Sequence, residues 1–209
     1  MFTLIKREIE DHVVYFIGAI ILSGIITALL VSFVFNDEKG MRPLFIWLSI
    51  PVVVVLIIGF PAMGASQMYT DKNRKVTAFL SALPVTRGQI LTTRIITGIL
   101  AILILFLPLI ITTAVLHNLF APTIPIYTDI ISDIFIVAFL TAFACYCIGL
   151  LTGWTSSKII PTLGAIVLTC IIVTLILVKG FGPDIKFILI LFIAATLIRT
   201  WQKFNSTAL

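Results

Sequence analysis

The sequence predicts an all-α, polytopic membrane protein with six transmembrane helices, and three observations carry that expectation. Hydrophobic residues make up 60% of the 209 residues and charged residues 11%, where soluble domains carry about 25% charge. Mean hydropathy is +1.22. The apolar residues also gather into runs of bilayer length, parted by short stretches that hold nearly all the charge. A chain of this length has no room for a sizeable soluble domain as well, so residues 1–209 form a single transmembrane domain.

Residues 1–12 are a short charged lead, with Lys6 and Arg7 ahead of Glu8, Glu10 and Asp11. The first span, 13–35, is too long for the apolar region of a signal peptide and no A-x-A-like site follows it, so it is an uncleaved span. A polar turn at 36–43 leads to the second span, 44–66, which Pro51 and Pro61 interrupt. Proline inside a span implies a kink or a local opening of the helix. The longest charge-bearing stretch, 71–94, precedes the third span at 95–116. A loop at 117–129 with Pro122 and Pro125 leads to the fourth span at 130–153. Tight turns at 154–158 and 179–184 flank the fifth, 159–178. The sixth, 185–198, has only enough residues for about 21 Å at 1.5 Å each. Extended to 201, with Lys186 and Arg199 snorkelling, it nearly crosses.

Charge sets the orientation. With the N-terminus inside, ten Lys and Arg fall on the inner side: two in the lead, five in 71–94, then Lys158, Arg199 and Lys203. Four fall outside: Lys39, Arg42, Lys179 and Lys186. That asymmetry places both termini and the 71–94 segment in the cytoplasm. Trp47 and Tyr127 fall at outer ends, and Tyr15, Tyr69, Trp154 and Trp201 at inner ends, as an aromatic belt requires. The net charge of +5 is spread over short loops, which reflects topology and implies no nucleic-acid partner.

Within 71–94, Val76, Phe79, Leu80 and Leu83 recur at helical spacing, with Lys72, Arg74 and Lys75 off that stripe. Pro84 stops the short helix near Ala82. Thr86 and Gln89 then form a capping box, with Val85 and Ile90 as its hydrophobic staple, to start the next helix. Three uses fit such a segment: a solvated basic loop, a helix lying on anionic lipid, or a docking element for a soluble partner.

Chemistry that is missing narrows the function. No Asp, Glu, Lys, Arg or His lies deep in the first five spans, which argues against ion-coupled transporters and intramembrane enzymes. His12 and His117 are lone and interfacial. The three cysteines suggest neither a disulfide nor a metal site, since Cys145 and Cys147 point to different sides of a helix and Cys170 lies in another span. Without a G-x-x-x-x-G-K-[ST] motif the chain does not hydrolyse nucleotide, so it is not expected to be an enzyme. Thr141, Cys145, Gly149 and Gly153 recur every four residues in the fourth span, as do Ala62 and Ser66 in the second. Such lines of small residues permit close helix approach, within one monomer or across a dimer.

The 71–94 segment also carries a family resemblance. Asp71, a basic run and then Ser81-Ala82-Leu83-Pro84-Val85-Thr86-Arg87, between the second and third of six spans, resemble the corresponding segment of bacterial ABC-2-type transporter permeases. Those carry "aspartate, basic run, SLP-[VI]-[ST]-R"; here Ala82 is inserted. The resemblance implies that this segment is a coupling helix seated on a separate ABC ATPase, with Lys72, Arg74, Lys75, Phe79, Leu80, Leu83 and Arg87 as its contacts. It further implies two ATPase copies that bind ATP and Mg, a second permease copy or a paralogue, and a bacterial plasma membrane. Small permeases of this kind resemble exporters of amphipathic or antimicrobial peptides, phenol-soluble modulins among them. The expected function is thus the membrane subunit of an exporter of amphipathic or hydrophobic cargo. A non-transporting membrane scaffold or immunity protein, docking a soluble partner through 71–94, is the alternative.

Overall fold

The structure, a computed structural model, describes residues 2–35, 55–74, 87–120, 125–153 and 159–206. All the secondary structure among them is helical: α1 (Phe2–Asp11), α2 (Val13–Phe35), a π-helical turn (Val55–Gly59), α3 (Phe60–Arg74), α4 (Arg87–Phe120), α5 (Pro125–Thr152), α6 (Ile159–Lys179) and α7 (Pro183–Ser206). Three helical stretches are long and apolar enough to cross a membrane: Val13–Ser32, Gly88–Leu119 and Ser132–Thr152. The chain is thus a membrane-embedded helical protein.

Helix α5 is the hub. It packs most extensively against α3 on one side and α7 on another, and also touches α4 and α6, while α2 lies along α4. Its inner half is almost entirely buried, from Thr141 to Leu150 with only Phe143 partly open. The outer surface of the bundle is oily. Val14 is 79% exposed, Val178 78% and Leu191 70%, exposure that water would penalise and lipid covers.

Several helix limits follow from local chemistry. The N–H of Gly180 bonds to the Ile176 carbonyl at 2.9 Å with Gly180 at φ +80°, an αL cap that only glycine adopts readily. Pro183 and Asp184 then open α7 with the fixed φ and the negative charge that a helix N-terminus favours. Pro61, in the first turn of α3, offers no N–H to the carbonyl four residues back, and the π turn lies immediately upstream. Pro51, the other expected kink, lies outside the described residues.

The helices are longer than the sequence reading. α3 runs unbroken through Asp71, Lys72 and Arg74, so the first residues of the 71–94 segment continue the preceding helix and do not start a new one. α4 begins at Arg87 and covers 34 residues, which takes Arg94 out of the cytoplasmic segment and into the bundle. At 24 residues, α7 spans about 36 Å. At the end of α5 nearer its N-terminus, Asp133 accepts from Lys186 of α7 at 2.5 Å, an inter-helix pair of two residues that were read singly.

Candidate functional site

At the other end of the bundle, a polar cluster is built from α1, α3, α4 and α5. Arg94 is its centre and is only 1% exposed. Its Nε lies 3.5 Å from Glu8 Oε1 of α1, and Nη1 lies 2.8 Å from the sulfur of Met68 on α3. The other Glu8 oxygen is 3.7 Å from Nε2 of His12. Behind Arg94, the Tyr146 hydroxyl of α5 reaches the Arg94 carbonyl at 2.7 Å and Gln67 Oε1 of α3 at 2.6 Å. Thr97 donates to the same carbonyl at 2.8 Å and accepts from Gln67 Nε2 at 3.4 Å. One hydroxyl proton cannot serve two oxygens. Donated to the Arg94 carbonyl, it leaves the phenol oxygen to accept from the Gln67 amide in its flipped orientation.

Glycine shapes this site. A Cβ at Gly98 would sit inside the Tyr146 ring, so the ring lies flat on α4 only because position 98 has no side chain. The line read from the fourth span has a similar role inside the chain. A Cβ at Gly149 would overlap the Pro61 carbonyl oxygen, and one at Gly153 would come within 2.7 Å of the Ala65 oxygen. From the α3 side, a Cβ at Gly64 would lie 2.5 Å from the Tyr146 oxygen. Cys145 is fully buried on the same helix, and the Thr141 hydroxyl turns back to the Val137 carbonyl at 2.7 Å. Gly149 and Gly153 thus face α3 of their own chain, and the two backbones meet at a distance that brings Gln67 to Tyr146.

Two sequence expectations are corrected here. His12 is not lone: it is 7% exposed and shares Glu8 with Arg94. The lead is not merely a charged tail, because α1 is an amphipathic helix whose Ile9 packs on the core and whose Glu8 enters the cluster. Arg94 was counted among the cytoplasmic cations. Yet Ile90, Leu91, Thr97, Gly98 and Ala101 share its buried face at helical spacing, and continuing the period upstream of residue 95 would have exposed that. Among the expected ATPase contacts, Lys72 and Arg74 lie in the last turn of α3 and Arg87 begins α4. Lys75, Phe79, Leu80 and Leu83 lie outside the described residues.

Chemically, the cluster is a fastener. Among the described residues no three His, Cys, Asp or Glu converge on a metal-sized site. The arrangement fastens α1 to α4 by charge, and α3, α4 and α5 to each other by neutral hydrogen bonds. No family model, no curated protein and no solved structure matches the chain.

The fastener has a pH dependence of definite sign. Burial pushes the His12 imidazole below its ordinary 6.5, against the opposing pull of Glu8 and Asp11, with Arg94 adding to the depression. An undocked His12 titrates near 6.5, so docking of α1 is fully favoured above that pH and is lost progressively as pH falls toward the lower, docked value. Amide hydrogen exchange of α1, corrected for intrinsic rate, should show less protection at about pH 5.5 than at about pH 7.5. His12→Gln should remove the difference. Equal protection at both pH values in the parent chain would contradict the burial of this imidazole.

Proposed function

We propose that the chain is the membrane subunit of an ATP-driven exporter of the ABC-2 type. It crosses a bacterial plasma membrane six times, at about 13–35, 44–66, 95–116, 130–153, 159–178 and 185–201, with both termini inside. It pairs with a second copy or a paralogue and sits on two cytoplasmic ABC ATPases, which bind the ATP and Mg. Its cargo is amphipathic or hydrophobic, a class suited by a chain with 16 phenylalanines and an oily outer surface.

The observation that carries this reading is the fastening of the two helices that flank residues 75–86. α3 and α4 are tied through Gln67, Tyr146 and Thr97, and α4 is tied to α1 through Arg94 and Glu8. A push delivered to the intervening segment would therefore move four helices as a unit, where a loosely joined loop would absorb it. Moving Arg94 into the bundle changes the inner count of Lys and Arg from ten to nine against four outside, so the asymmetry behind the orientation persists.

The seat on the ATPase is tested at Phe79. An apolar stripe on so short a helix cannot stand alone in water, and truncating a buried aromatic anchor at an interface commonly costs about 2 kcal/mol or more. Phe79→Ala should release the copurifying ATPase, or uncouple its hydrolysis from cargo, while the permease stays inserted. Lys72→Ala and Lys75→Ala should singly do little. Retained association and coupling in a Phe79→Ala/Leu83→Ala double variant would remove the docking role and leave lipid as the cover of that stripe.

A further inference from the structure

Between α2 and α3 the bundle leaves a groove. α2 packs along α4 and α3 packs along α5, so the first two diverge over a floor formed by α4. The cavity holds about 280 Å³. Val14 and Gly18 of α2 form one wall, Phe60 and Met63 the other, and Ala101 and Leu105 the floor. Gly59, the last residue of the π turn, also lines it, and π turns recur where a helix is widened for a function. Tyr15 is the one lining residue with a polar side-chain atom.

We propose that this groove is a binding site for one acyl chain of a bilayer phospholipid, drawn from the leaflet on the N-terminal side of α2. The proposal rests on membrane embedding alone and is independent of the exporter reading. Three observations select this occupant. The α2 and α4 walls lie within stretches apolar and long enough to cross a membrane, so the groove sits at hydrocarbon depth, where alkyl chains are the solvent. Its rim is as oily as its interior, with Val14, Ile17 and Ile21 exposed, and the lining offers almost nothing to a polar ligand. Size excludes a helix, whether from a second copy or from a helical peptide. A single turn about 10 Å across and 5.4 Å tall fills roughly 400 Å³, more than the groove holds, whereas a lone alkyl chain fits.

Gly18 provides the test, because a Cβ there meets nothing within 4 Å. A larger side chain can enter the groove without displacing a neighbour. The full chain would be reconstituted in phosphatidylcholine vesicles containing a lipid with a diazirine on one acyl chain, irradiated, and its labelled residues mapped. Met63 and Leu105, each only 2% exposed, should be labelled, as should Leu107 and Ile111 on the open face of α4, where any boundary lipid reaches. Gly18→Phe should lose the label on Met63 and Leu105 and keep it on Leu107 and Ile111, which also reports that the variant is folded. Gly18→Leu, a shorter filler, should lose part of it. Two results would overturn the proposal. If Met63 and Leu105 stay unlabelled in the parent chain while Leu107 and Ile111 are labelled, the groove is closed to lipid by something else, such as cargo, a second copy or residues 36–54. If their label survives Gly18→Phe, it does not come from the groove.

Discussion

Glu8→Gln should destabilise the protein by about 3 kcal/mol, because it removes the carboxylate partner of a guanidinium that has almost no access to water. Arg94 is 1% exposed, while the Glu8 side chain keeps 19%. The two sides of the pair are therefore unequal. Taking away Glu8 strands a cation that cannot rehydrate without unpacking α1 from α4. Taking away the cation, as in Arg94→Met, strands a carboxylate that can turn toward water or take up a proton, and the cost should be smaller, about 1–2 kcal/mol. The double variant Glu8→Gln/Arg94→Met should cost less than the two singles together, because the second change removes the charge that the first left unpaired. Unfolding in a denaturing-detergent titration measures all three. Glu10→Gln is the control: Glu10 meets Lys6 only at 3.9 Å on an open face, so its loss should fall within about 0.5 kcal/mol. If Glu8→Gln behaves like Glu10→Gln, the buried pair does not hold α1 in place.

Gly149→Ala should separate α3 from α5. A Cβ at 149 would overlap the Pro61 carbonyl oxygen and lie 2.8 Å from Pro61 Cα. Both are backbone atoms, with no flexible end to swing aside. Alanine is favoured over glycine in a helix by about 1 kcal/mol, but forcing two packed backbones apart costs typically 1–3 kcal/mol and sometimes more. The net effect should be destabilising, and Gly149→Leu should prevent assembly of the bundle. Separation would also draw Gln67 away from Tyr146, so loss of packing and loss of the polar cluster should appear together. Gly24→Ala on α2, where a Cβ meets nothing within 4 Å, should be neutral or slightly stabilising. Equal stability of Gly149→Ala and Gly24→Ala would mean that the α3–α5 approach is looser than the structure has it.

What could be read from the sequence divides along a physical line. Apolar length is a one-dimensional property, so the membrane helices were legible from the runs that form α2, α4 and α5. Which face of such a helix turns inward was much less so. A helix that is hydrophobic all round offers little polar contrast to mark a buried stripe, and only the residues that break the pattern speak. Gly149 and Gly153 spoke because they recur at spacing four. Gly64 and Gly98 stand alone in their helices and gave no such signal, although each meets a neighbouring helix as closely. Arg94 was misread for a different reason. Lys and Arg near the end of an apolar run are normally cytoplasmic, and nothing local distinguishes a buried one until its partner on a distant helix, Glu8, is brought beside it. Asp133 and Lys186 repeat that lesson at the opposite end.

The exporter reading requires that residues 75–86 face the cytoplasm while the loop after α4 faces outside. Single cysteines test this in intact cells, in a background where Cys170, the exposed native thiol, is changed to serine. Lys75→Cys, Ser206→Cys and Thr123→Cys would each be treated with a membrane-impermeant maleimide before and after the cells are opened. The expected result is labelling at Thr123→Cys in closed cells, and at Lys75→Cys and Ser206→Cys only after opening. Labelling of Lys75→Cys and Thr123→Cys from the same side would contradict the six-span topology and, with it, any seat for a cytoplasmic ATPase on this segment.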